Sequence, residues 1–425
     1  MDKPKNRSIL AIQIESLIMK NVFLGIFILL SSYAIAQNRC STTEALEHLS
    51  ATNPDAVSNI AAAKKEHLQY QNNKDQQEVI TIPVVIHVVY NTSTQNISDA
   101  QIISQIAVLN KDFRKSNSDF NKVPSAFSGL AADTEIEFCL ASKDELGLPT
   151  SGIIRKQTTT TSYSLNNADD VKSSSKGGSD PWSRDQYLNI WICNLSGGLL
   201  GYAYPPGISA SLDGIVIGYR YFGTTGTVSS PFNLGRTTTH EVGHWLGLDH
   251  IWGSGNGCGS DNVADTPLQQ SNNFGCPTFP SISICNDVDN RPNGDMFMNY
   301  MDYVNDNCMQ MFSAGQSALM RSVLNTSRVS IRASLGCNTI GIKEQTSISF
   351  KLFPNPSINT VNVVLNQKPV SSDYISITSI LGTEVLRIRP KLMDNKLDIS
   401  HLEPGTYFIS VSQNQQLQTQ KVVVR

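Results

Sequence analysis

Residues 240–250 read HEVGHWLGLDH, and this spacing gathers three histidines and one glutamate around a single point. His240 and His244 are four residues apart, so an α-helix places both imidazoles on one face. Glu241 lies one step round the helix, where it can meet a water on a metal rather than the metal itself. A glycine after the helix lets the chain reverse and return His250 as a third ligand. Three protein ligands with one open position are typical of catalytic zinc.

The extended pattern distinguishes this segment from a chance His-Glu-x-x-His match on a surface helix. Gly247 and His250 complete the spacing, and a second segment, Asn299-Tyr300-Met301-Asp302-Tyr303, supplies the methionine turn of the metzincin signature. Met301 is expected to form an apolar floor beneath the histidines rather than a ligand. The helix also carries apolar packing residues, namely Val242, Trp245, Leu246 and Leu248. A closed structural zinc site is the alternative.

This constellation predicts hydrolysis of peptide bonds. Zinc lowers the pKa of its bound water from ~16 towards ~7, and Glu241 can accept the proton and return it to the leaving amine. Tyr303, two residues after Met301, is placed to stabilise the developing oxyanion. The alternative for Tyr303 is an aromatic side chain that only packs beside the turn.

Composition and the N-terminus favour an exported protein. The 425 residues allow two or three domains, and a net charge of −3 indicates neither nucleic-acid binding nor a polybasic membrane surface. Residues 1–36 are predicted to be a signal peptide, with Met19 as an alternative start and cleavage after Ala36. The apolar run from Val22 to Tyr33 is too short for a transmembrane segment.

The rest of the chain divides by pattern into a pro-segment (37–80), an α/β catalytic domain (81–337), a linker (338–352) and a small all-β sandwich (353–425). The pro-segment is polar and helix-prone, and we expect it to lie outside the core. Predicted elements of the catalytic domain are a buried central strand Ile80–Tyr90, a helix Ser98–Asn117, strands Glu135–Ala141 and Tyr187–Asn194, and an edge strand Leu199–Tyr204.

Eight cysteines in an exported chain are expected to be mostly paired, but the sequence alone leaves their connectivity open. They are Cys40, Cys139, Cys193, Cys258, Cys276, Cys285, Cys308 and Cys337.

The motifs together resemble the pappalysin family of metzincin peptidases, in particular its small microbial members of the ulilysin and mirolysin kind. The resemblance rests on His240–His250, Asn299–Tyr303, Asp265-Thr266-Pro267 and Cys308, and covers roughly residues 37–337. It implies a metzincin-type α/β fold, with a twisted mixed sheet, an active-site helix and a loop-rich C-terminal subdomain.

The resemblance also implies roles for individual residues. His240, His244 and His250 would bind zinc, Glu241 would be the general base, and Tyr303 would match the family's mobile active-site tyrosine. Asp306 would form the base of the pocket for the residue after the scissile bond, where a carboxylate favours arginine or lysine. The alternative for Asp306 is a solvated loop acid.

A calcium site and two disulfides follow from the same resemblance. Asp261, Asp265 and Thr266 offer hard oxygen ligands just beyond His250, although such loops are often only turns. The family pairing would be Cys258–Cys285 and Cys276–Cys308.

Cys40 resembles the pro-segment cysteine that ligates zinc in the latent family members, and thiolate is a good zinc ligand. Ser41 follows it where the family usually has glycine. The alternative is a disulfide between Cys40 and Cys337. If Cys40 is the latency ligand and Cys139 pairs with Cys193, Cys337 lacks a partner.

The C-terminal residues resemble a type IX secretion sorting domain, through Phe353-Pro354-Asn355-Pro356, Leu381-Gly382, Leu402–Tyr407 and Lys421–Arg425. The resemblance implies recognition by outer-membrane secretion machinery after passage through the periplasm. A carbohydrate-binding module is the alternative.

The sequence therefore predicts a secreted or surface-displayed zinc endopeptidase, made as a latent zymogen and acting on proteins or peptides. The rival is a catalytically weak adhesin on a metzincin scaffold, against which the intact Glu241 argues. Self-cleavage is expected before a lysine of the pro-segment, in polar chain predicted to be mobile, at Ala63-Lys64, Lys64-Lys65 or Asn73-Lys74.

Overall fold

The computed structural model describes residues 39–70, 78–164, 166–253, 257–285, 293–337, 350–366, 368–370, 373–380, 382–413 and 416–425. The chain separates into two compact units, Met1–Asn338 and Thr339–Arg425. The predicted signal peptide and most of the predicted linker lie outside the described residues. In the described ranges, no helix is both long and apolar enough to cross a membrane.

The first unit is built on a mixed sheet of six strands. Its strands are β1 (Ile80–Tyr90), β2 (Ile136–Leu140), β3 (Ile153–Gln157), β4 (Leu188–Cys193), β5 (Gly201–Ala203) and β6 (Ile215–Gly218). The order is β2-β1-β4-β6-β5, with β3 paired to the second half of β1. All pairs are parallel except β5 with β6. Strand β5 is thus a short antiparallel edge strand, and it lies beside the helix that carries His240 and His244.

Helices cover the sheet and complete its core. They are α1 (Thr42–Thr52), α2 (Pro54–Tyr70), α3 (Asp99–Phe113), α4 (Ser125–Ser128), α5 (Arg236–Trp245) and α6 (Ala314–Asn325). Single 3-10 turns occur at Ser93–Gln95, Phe120–Lys122, Ala168–Lys172, Ser174–Lys176, Tyr219–Tyr221, Asp306–Cys308 and Val329–Ala333. Helix α3 begins where Ser98 caps the amide of Gln101. Its apolar face is buried in the core, as the periodicity predicts, and the helix lies against β2 and α5.

Buried ion pairs hold both ends of α5. At its start, Arg236 Nε lies 3.0 Å from Asp112 Oδ2, which also accepts a hydrogen bond of 2.7 Å from the Thr239 hydroxyl. At its end, Trp245 Nε1 donates to Asp213 Oδ1 at 2.8 Å, and Arg328 Nη1 contacts the same carboxylate at 3.0 Å. These contacts fix the helix against the sheet and the chain that follows it.

The predicted pro-segment packs on the core, contrary to the expectation from its polarity. Ala45, Leu49 and Ala56 on α1 and α2 are buried in an apolar cluster with Tyr202 and Tyr204 near the edge strand. Few apolar residues suffice here because α1 and α2 bury only one face each against the catalytic domain.

The second unit consists of two antiparallel sheets around one apolar core. Strands β7 (Phe350–Phe353), β8 (Thr360–Leu365) and β11 (Asp394–Asp398) form one sheet, in the order β11-β8-β7. Strands β9 (Tyr374–Ser379), β10 (Glu384–Ile388), β12 (Gly405–Gln413) and β13 (Gln416–Val424) form the other, in the order β10-β9-β12-β13. Alternate residues such as Val361, Val363, Ile409 and Val411 point inward. This is the all-β architecture that the alternation predicts.

Three disulfides cross-link the described part of the first unit: Cys258–Cys285, Cys276–Cys308 and Cys139–Cys337. The first two are the pairs that the family resemblance implies. The third excludes both Cys139–Cys193 and Cys40–Cys337. Cys139 lies on β2 at the sheet edge, where the chain leaving Val329–Ala333 reaches it, whereas Cys193 is buried in the cluster with Tyr202. Cys40 and Cys193 are free thiols.

Candidate active site

The active-site helix brings the predicted ligands together. His240 and His244 face the same side of α5, and Gly247 has a φ of +88°, which turns the chain so that His250 faces them. The Nε2 atom of His244 lies 3.1 Å from that of His240 and 3.0 Å from that of His250. All three imidazoles are buried. The local pattern therefore forms the three-histidine cluster that the sequence predicts.

The protonation of the histidines fits a bound cation. His240 Nδ1 lies 2.7 Å from the carbonyl oxygen of Tyr300, and His244 Nδ1 lies 2.7 Å from that of Leu248, so each Nδ1 carries the proton. Burial lowers the pKa of all three histidines, that of His244 to about 4, which keeps them neutral. The lone pairs of Nε2 then converge without protons between them, as zinc coordination requires.

Cys40 supplies a fourth ligand atom at the same point. Its Sγ and the three histidine nitrogens all lie within 4.8 Å of one another. Burial, and next the charge of Glu241, raise the pKa of the Cys40 thiol. A thiolate here therefore needs the positive charge of a metal ion. A set of three imidazoles and one thiol suits zinc better than a hard cation.

The methionine turn lies directly beneath the cluster. Met301 is fully buried, and Gly243 faces it so closely that a Cβ atom there would lie 2.5 Å from its sulfur. The Met301 amide donates to the side chain of Asn299 at 2.9 Å, which fixes the turn. Met301 thus packs against the helix as an apolar floor.

Glu241 follows His240 on α5, and its side chain faces the ligand cluster. Its Oε2 lies 3.4 Å from Cys40 Sγ and accepts a hydrogen bond of 3.2 Å from the hydroxyl of Thr42. Its Oε1 is buried without a hydrogen-bond partner among the described residues. Burial raises the pKa of Glu241 to about 8. Such a carboxyl can take up and release a proton near neutral pH.

Tyr303 lies beside His250. Its hydroxyl is 3.1 Å from His250 Nε2 and donates to the carbonyl oxygen of Cys40 at 2.9 Å. Burial raises the pKa of the phenol well above its usual value, so it remains a hydrogen-bond donor. Tyr303 is therefore more than a packed aromatic, because its polar end reaches the cluster.

Asp306 is fully buried and contacts Arg39, the residue that precedes Cys40. Its Oδ2 accepts hydrogen bonds from the amides of Leu234 (2.8 Å) and Arg236 (3.2 Å). Its Oδ1 is paired with Arg39 Nη2 at 2.8 Å, and both side chains are buried. The Arg39 guanidinium also lies over the ring of Phe232, 4.9 Å from its centroid. Asp306 is therefore not a solvated loop acid, and its partner is a basic side chain.

The three predicted calcium ligands, Asp261, Asp265 and Thr266, differ in their hydrogen-bond partners. Asp261 Oδ1 accepts a hydrogen bond of 2.7 Å from Thr266, whereas Asp261 Oδ2 is buried without a partner in the described chain. Burial raises the pKa of Asp261 to about 7. The carboxylate of Asp265 instead accepts from Ser313 Oγ (2.7 Å) and the amide of Gly315 (2.9 Å) at the start of α6. The Thr266 hydroxyl is used in hydrogen bonds with Asp261 and Val263, Asp265 holds the helix, and only Asp261 Oδ2 of these groups is left without a partner in the described chain.

Comparisons with known proteins show the family to which this chain belongs. Residues 172–325 match the sequence profile of the M43 peptidase family, described as pregnancy-associated plasma protein-A. An extracellular metalloprotease of Pyricularia oryzae is 30% identical over 298 residues, which cover 67% of this chain and 88% of the fungal protein. The chain belongs to this pappalysin family. It is a zinc metalloendopeptidase with the metzincin-type fold.

Solved structures of mirolysin are similar to the first unit. A mature Tannerella forsythia mirolysin with a cleaved peptide is 52% identical, with a TM-score of 0.58, over 61% of this chain and 96% of that one. A point mutant of promirolysin from the same organism is 46% identical, with a TM-score of 0.64, over 69% of this chain and 97% of that one. Residues 351–425 match a secretion system C-terminal sorting domain. This pappalysin is therefore exported or displayed at the cell surface.

The sequence reasoning missed two residues of the pro-segment. Arg39 pairs with Asp306, and Thr42 bonds both Glu241 and the amide of Ala203 on the edge strand, the latter at 3.0 Å. Both flank Cys40 in the chain. Their proximity to a predicted zinc ligand was the available signal, but nothing local indicates which groups they contact.

Proposed function

We propose that this pappalysin cuts proteins on the N-terminal side of arginine or lysine and is held latent by its N-terminal segment. One observation carries the proposal. Arg39 pairs with Asp306, where a basic side chain of a substrate would bind, Cys40 lies at the ligand cluster, and Thr42 bonds Glu241. Each of these is a position that a substrate or a water needs. An adhesin would have no use for a base and a filled pocket in this order.

His240, His244 and His250 would hold the metal ion, and the side chains around it would carry out the proton transfers. Zinc bound there supplies charge that polarises the scissile carbonyl and lowers the pKa of water. Glu241 stands within hydrogen-bond reach of the position that Cys40 Sγ occupies. Once Cys40 leaves, Glu241 takes a proton from water at this position and passes it to the leaving amine. Glu241 holds that proton between the two steps.

Tyr303 acts in the same step as a hydrogen-bond donor. In the latent chain its hydroxyl donates to the carbonyl of Cys40. When a substrate replaces the pro-segment, a carbonyl stands at this place, and its oxygen gains negative charge during attack. A buried donor already aimed at it stabilises that charge without reorganisation.

Specificity for a basic residue after the scissile bond rests on Asp306. Two backbone amides fix its carboxylate, and its remaining lone pairs face Arg39. A buried carboxylate requires a charged or hydrogen-bonded partner. An arginine or lysine of the substrate restores that partner after Arg39 departs.

Activation requires removal of the pro-segment. Lys64 and Lys65 lie within α2, so the predicted cuts at Ala63-Lys64 and Lys64-Lys65 fall in folded helix rather than in mobile chain. Asn73-Lys74 lies outside the described residues. Self-cleavage before Lys74 is the proposed maturation event, because the other two bonds lie within α2.

Two further assignments complete the proposal. Calcium binds the loop of Asp261 and Thr266, where a buried carboxylate oxygen lacks a partner. Type IX outer-membrane machinery recognises the C-terminal sorting domain, which matches over residues 351–425.

The test uses enzyme that is produced as the full-length chain and has then lost its pro-segment. Casein and peptides with a single arginine are digested, and mass spectrometry locates each cut. We expect cuts before arginine and lysine, their loss on treatment with 1,10-phenanthroline, and their return with stoichiometric zinc. Undiminished cleavage by protein shown to contain no metal would contradict the mechanism, and cuts without preference for basic residues would contradict the specificity.

A further inference from the structure

A large cavity of about 840 Å³ lies beside the ligand cluster, between the pro-segment and the catalytic domain. The chain direction shows which part of a substrate would use it. From the Asp306 pocket, the pro-segment passes Cys40 at the cluster and reaches Ala203 through Thr42, and then forms α1 along the cavity. Thr42 and the start of α1, which follow Cys40, line the cavity, whereas Arg39 and Asp306 do not. On the proposed function, residues that precede the scissile bond must bind on the side of the cavity.

The wall that the catalytic domain contributes is aromatic. The indole of Trp252 stacks on the ring of His250, with centroids 4.4 Å apart and planes 7° from parallel. Trp252 also meets Tyr303 edge-on at 4.8 Å. Phe274 stands next to Tyr303 and is 57% exposed. Trp252 therefore packs on one of the three histidines, and Phe274 packs beside Tyr303.

One carboxylate accompanies this aromatic wall. Asp249 is the only acidic residue that the catalytic domain contributes to the described lining of the cavity, since Glu44 and Glu47 belong to the pro-segment. Asp249 forms an ion pair with Lys64 of α2, and the two side chains are 36% and 37% exposed. The same Oδ2 accepts a hydrogen bond of 3.3 Å from Asn262, which belongs to the catalytic domain and stays after activation. Loss of the pro-segment removes the lysine and leaves the carboxylate in place.

We propose that Asp249, Trp252 and Phe274 form a second basic subsite, which binds a lysine or arginine side chain on the N-terminal side of the scissile bond. The aliphatic part of such a side chain packs along the rings, and its charged end pairs with the carboxylate. Lys64 shows that an ammonium group fits at Asp249 in the latent chain. The subsite makes the mature enzyme select segments with basic residues on both sides of the cut.

The subsite is tested with the activated full-length enzyme and peptides that keep arginine after the scissile bond. Each preceding position carries in turn lysine, norleucine or glutamate, and kcat/KM is measured for each peptide. We expect lysine to exceed norleucine about fivefold at one position, the gain of a partly exposed ion pair. The Asp249→Asn enzyme should reduce that ratio to about one, and Asp249→Glu should preserve the preference for lysine.

The matched control is Asp133→Asn, since Asp133 is 37% exposed, lies 2.9 Å from Arg114 and does not line the cavity. This variant should keep the lysine preference. A wild-type enzyme with equal rates for lysine and norleucine at every preceding position, or an Asp249→Asn enzyme with the full preference, overturns the subsite. Cleavage before arginine without the second preference refutes the subsite alone, whereas an enzyme that cleaves none of the peptides refutes the proposed function as well.

Discussion

The guanidinium of Arg39 lies 2.8 Å from the carboxylate of Asp306, and both side chains are buried. The two residues are 267 positions apart in the chain. Cys40, the residue after Arg39, likewise lies against the histidine cluster, which is distant from it in the sequence. On the proposed function, the pro-segment therefore blocks both the catalytic site and the specificity pocket with adjacent residues. It follows that changes in the pocket affect both substrate choice and latency.

Asp306→Asn should weaken both functions of the pocket. The variant keeps the shape of the side chain but removes the charge that pairs with a basic residue. We expect kcat/KM for peptides cut before arginine to fall by about 10–100-fold, or roughly 1.5–3 kcal/mol, which is the usual loss of a hydrogen bond to a charged group. Peptides with norleucine after the cut serve as the comparison, and their rates should change much less. An equal loss for both peptide sets would show that Asp306 has only a structural role.

Glu241→Ala should retain zinc and lose proteolysis. The ligand atoms belong to other side chains, so metal content measured by mass spectrometry should stay near one zinc per chain. Without the base, casein cleavage should drop by about 10²–10⁴-fold. Glu241→Gln, which keeps the shape of the side chain, should be similarly inactive. Wild-type-like cleavage by the zinc-loaded alanine variant would falsify the assigned role.

Cys40→Ala should produce a precursor that is active before its pro-segment is lost. The substitution removes the thiol from the position that water needs. Cys193→Ala is the matched control, because Cys193 is also a buried free thiol but lies away from the cluster. The control precursor should stay latent in the same peptide assay. Mass mapping that finds Cys40 in a disulfide, or a latent Cys40→Ala precursor, would rule out the thiol as the latency ligand.

Acid should loosen the pro-segment through His67 on α2. Burial, and next the charge of Arg328, lower the pKa of His67 to about 4, and its Nε2 lies 2.7 Å from Ser327 Oγ. Arg328 is itself paired with Asp213. Released pro-segment binds a proton near pH 6.5, whereas docked pro-segment does not until about pH 4. The docked pro-segment is therefore bound most tightly above pH 6.5. Its equilibrium constant for docking falls as the pH drops from 6.5 towards 4, by at most about tenfold per pH unit.

The acid effect is measured as the rate of precursor activation from pH 7.5 to 5. Cys40 and the zinc site also respond to acid, so the wild-type chain is compared with His67→Gln, which can still bond Ser327 but does not titrate. We expect the wild-type rate to rise more steeply than that of the variant below pH 6.5. Parallel pH profiles would exclude His67 as the sensor.

Calcium should stabilise the first unit through Asp261. A cation satisfies the buried Oδ2, which has no partner among the described residues. Addition of calcium should raise Tm by several degrees, as binding to the folded state requires. Asp261→Asn should abolish most of this shift, and Asp133→Asn should leave it unchanged. A Tm that does not respond to calcium in the wild-type chain would remove the site.

The sequence alone determined the groups whose geometry is local. A helix places His240 and His244 on one face, and Gly247 returns His250, because these relations depend only on the helical repeat and on one positive φ. The strand Ile80–Tyr90 and the alternating strands of the C-terminal unit were equally predictable, since their periodicity reflects which face is buried. The family resemblance added Asp306, Cys40 and two disulfides.

Only the tertiary structure decided which distant groups meet. It pairs Cys139 with Cys337 rather than with Cys193, places Lys64 and Lys65 in a docked helix, and puts Arg39 in the pocket of Asp306. Each of these contacts joins segments whose approach depends on how the sheet and the pro-segment pack together. Periodicity carries no information on such approach, because the same local pattern is compatible with many partners. The polarity of the pro-segment predicts a position outside the core because it reflects the solvent face, while the few apolar residues that pack on the catalytic domain are spread over two helices.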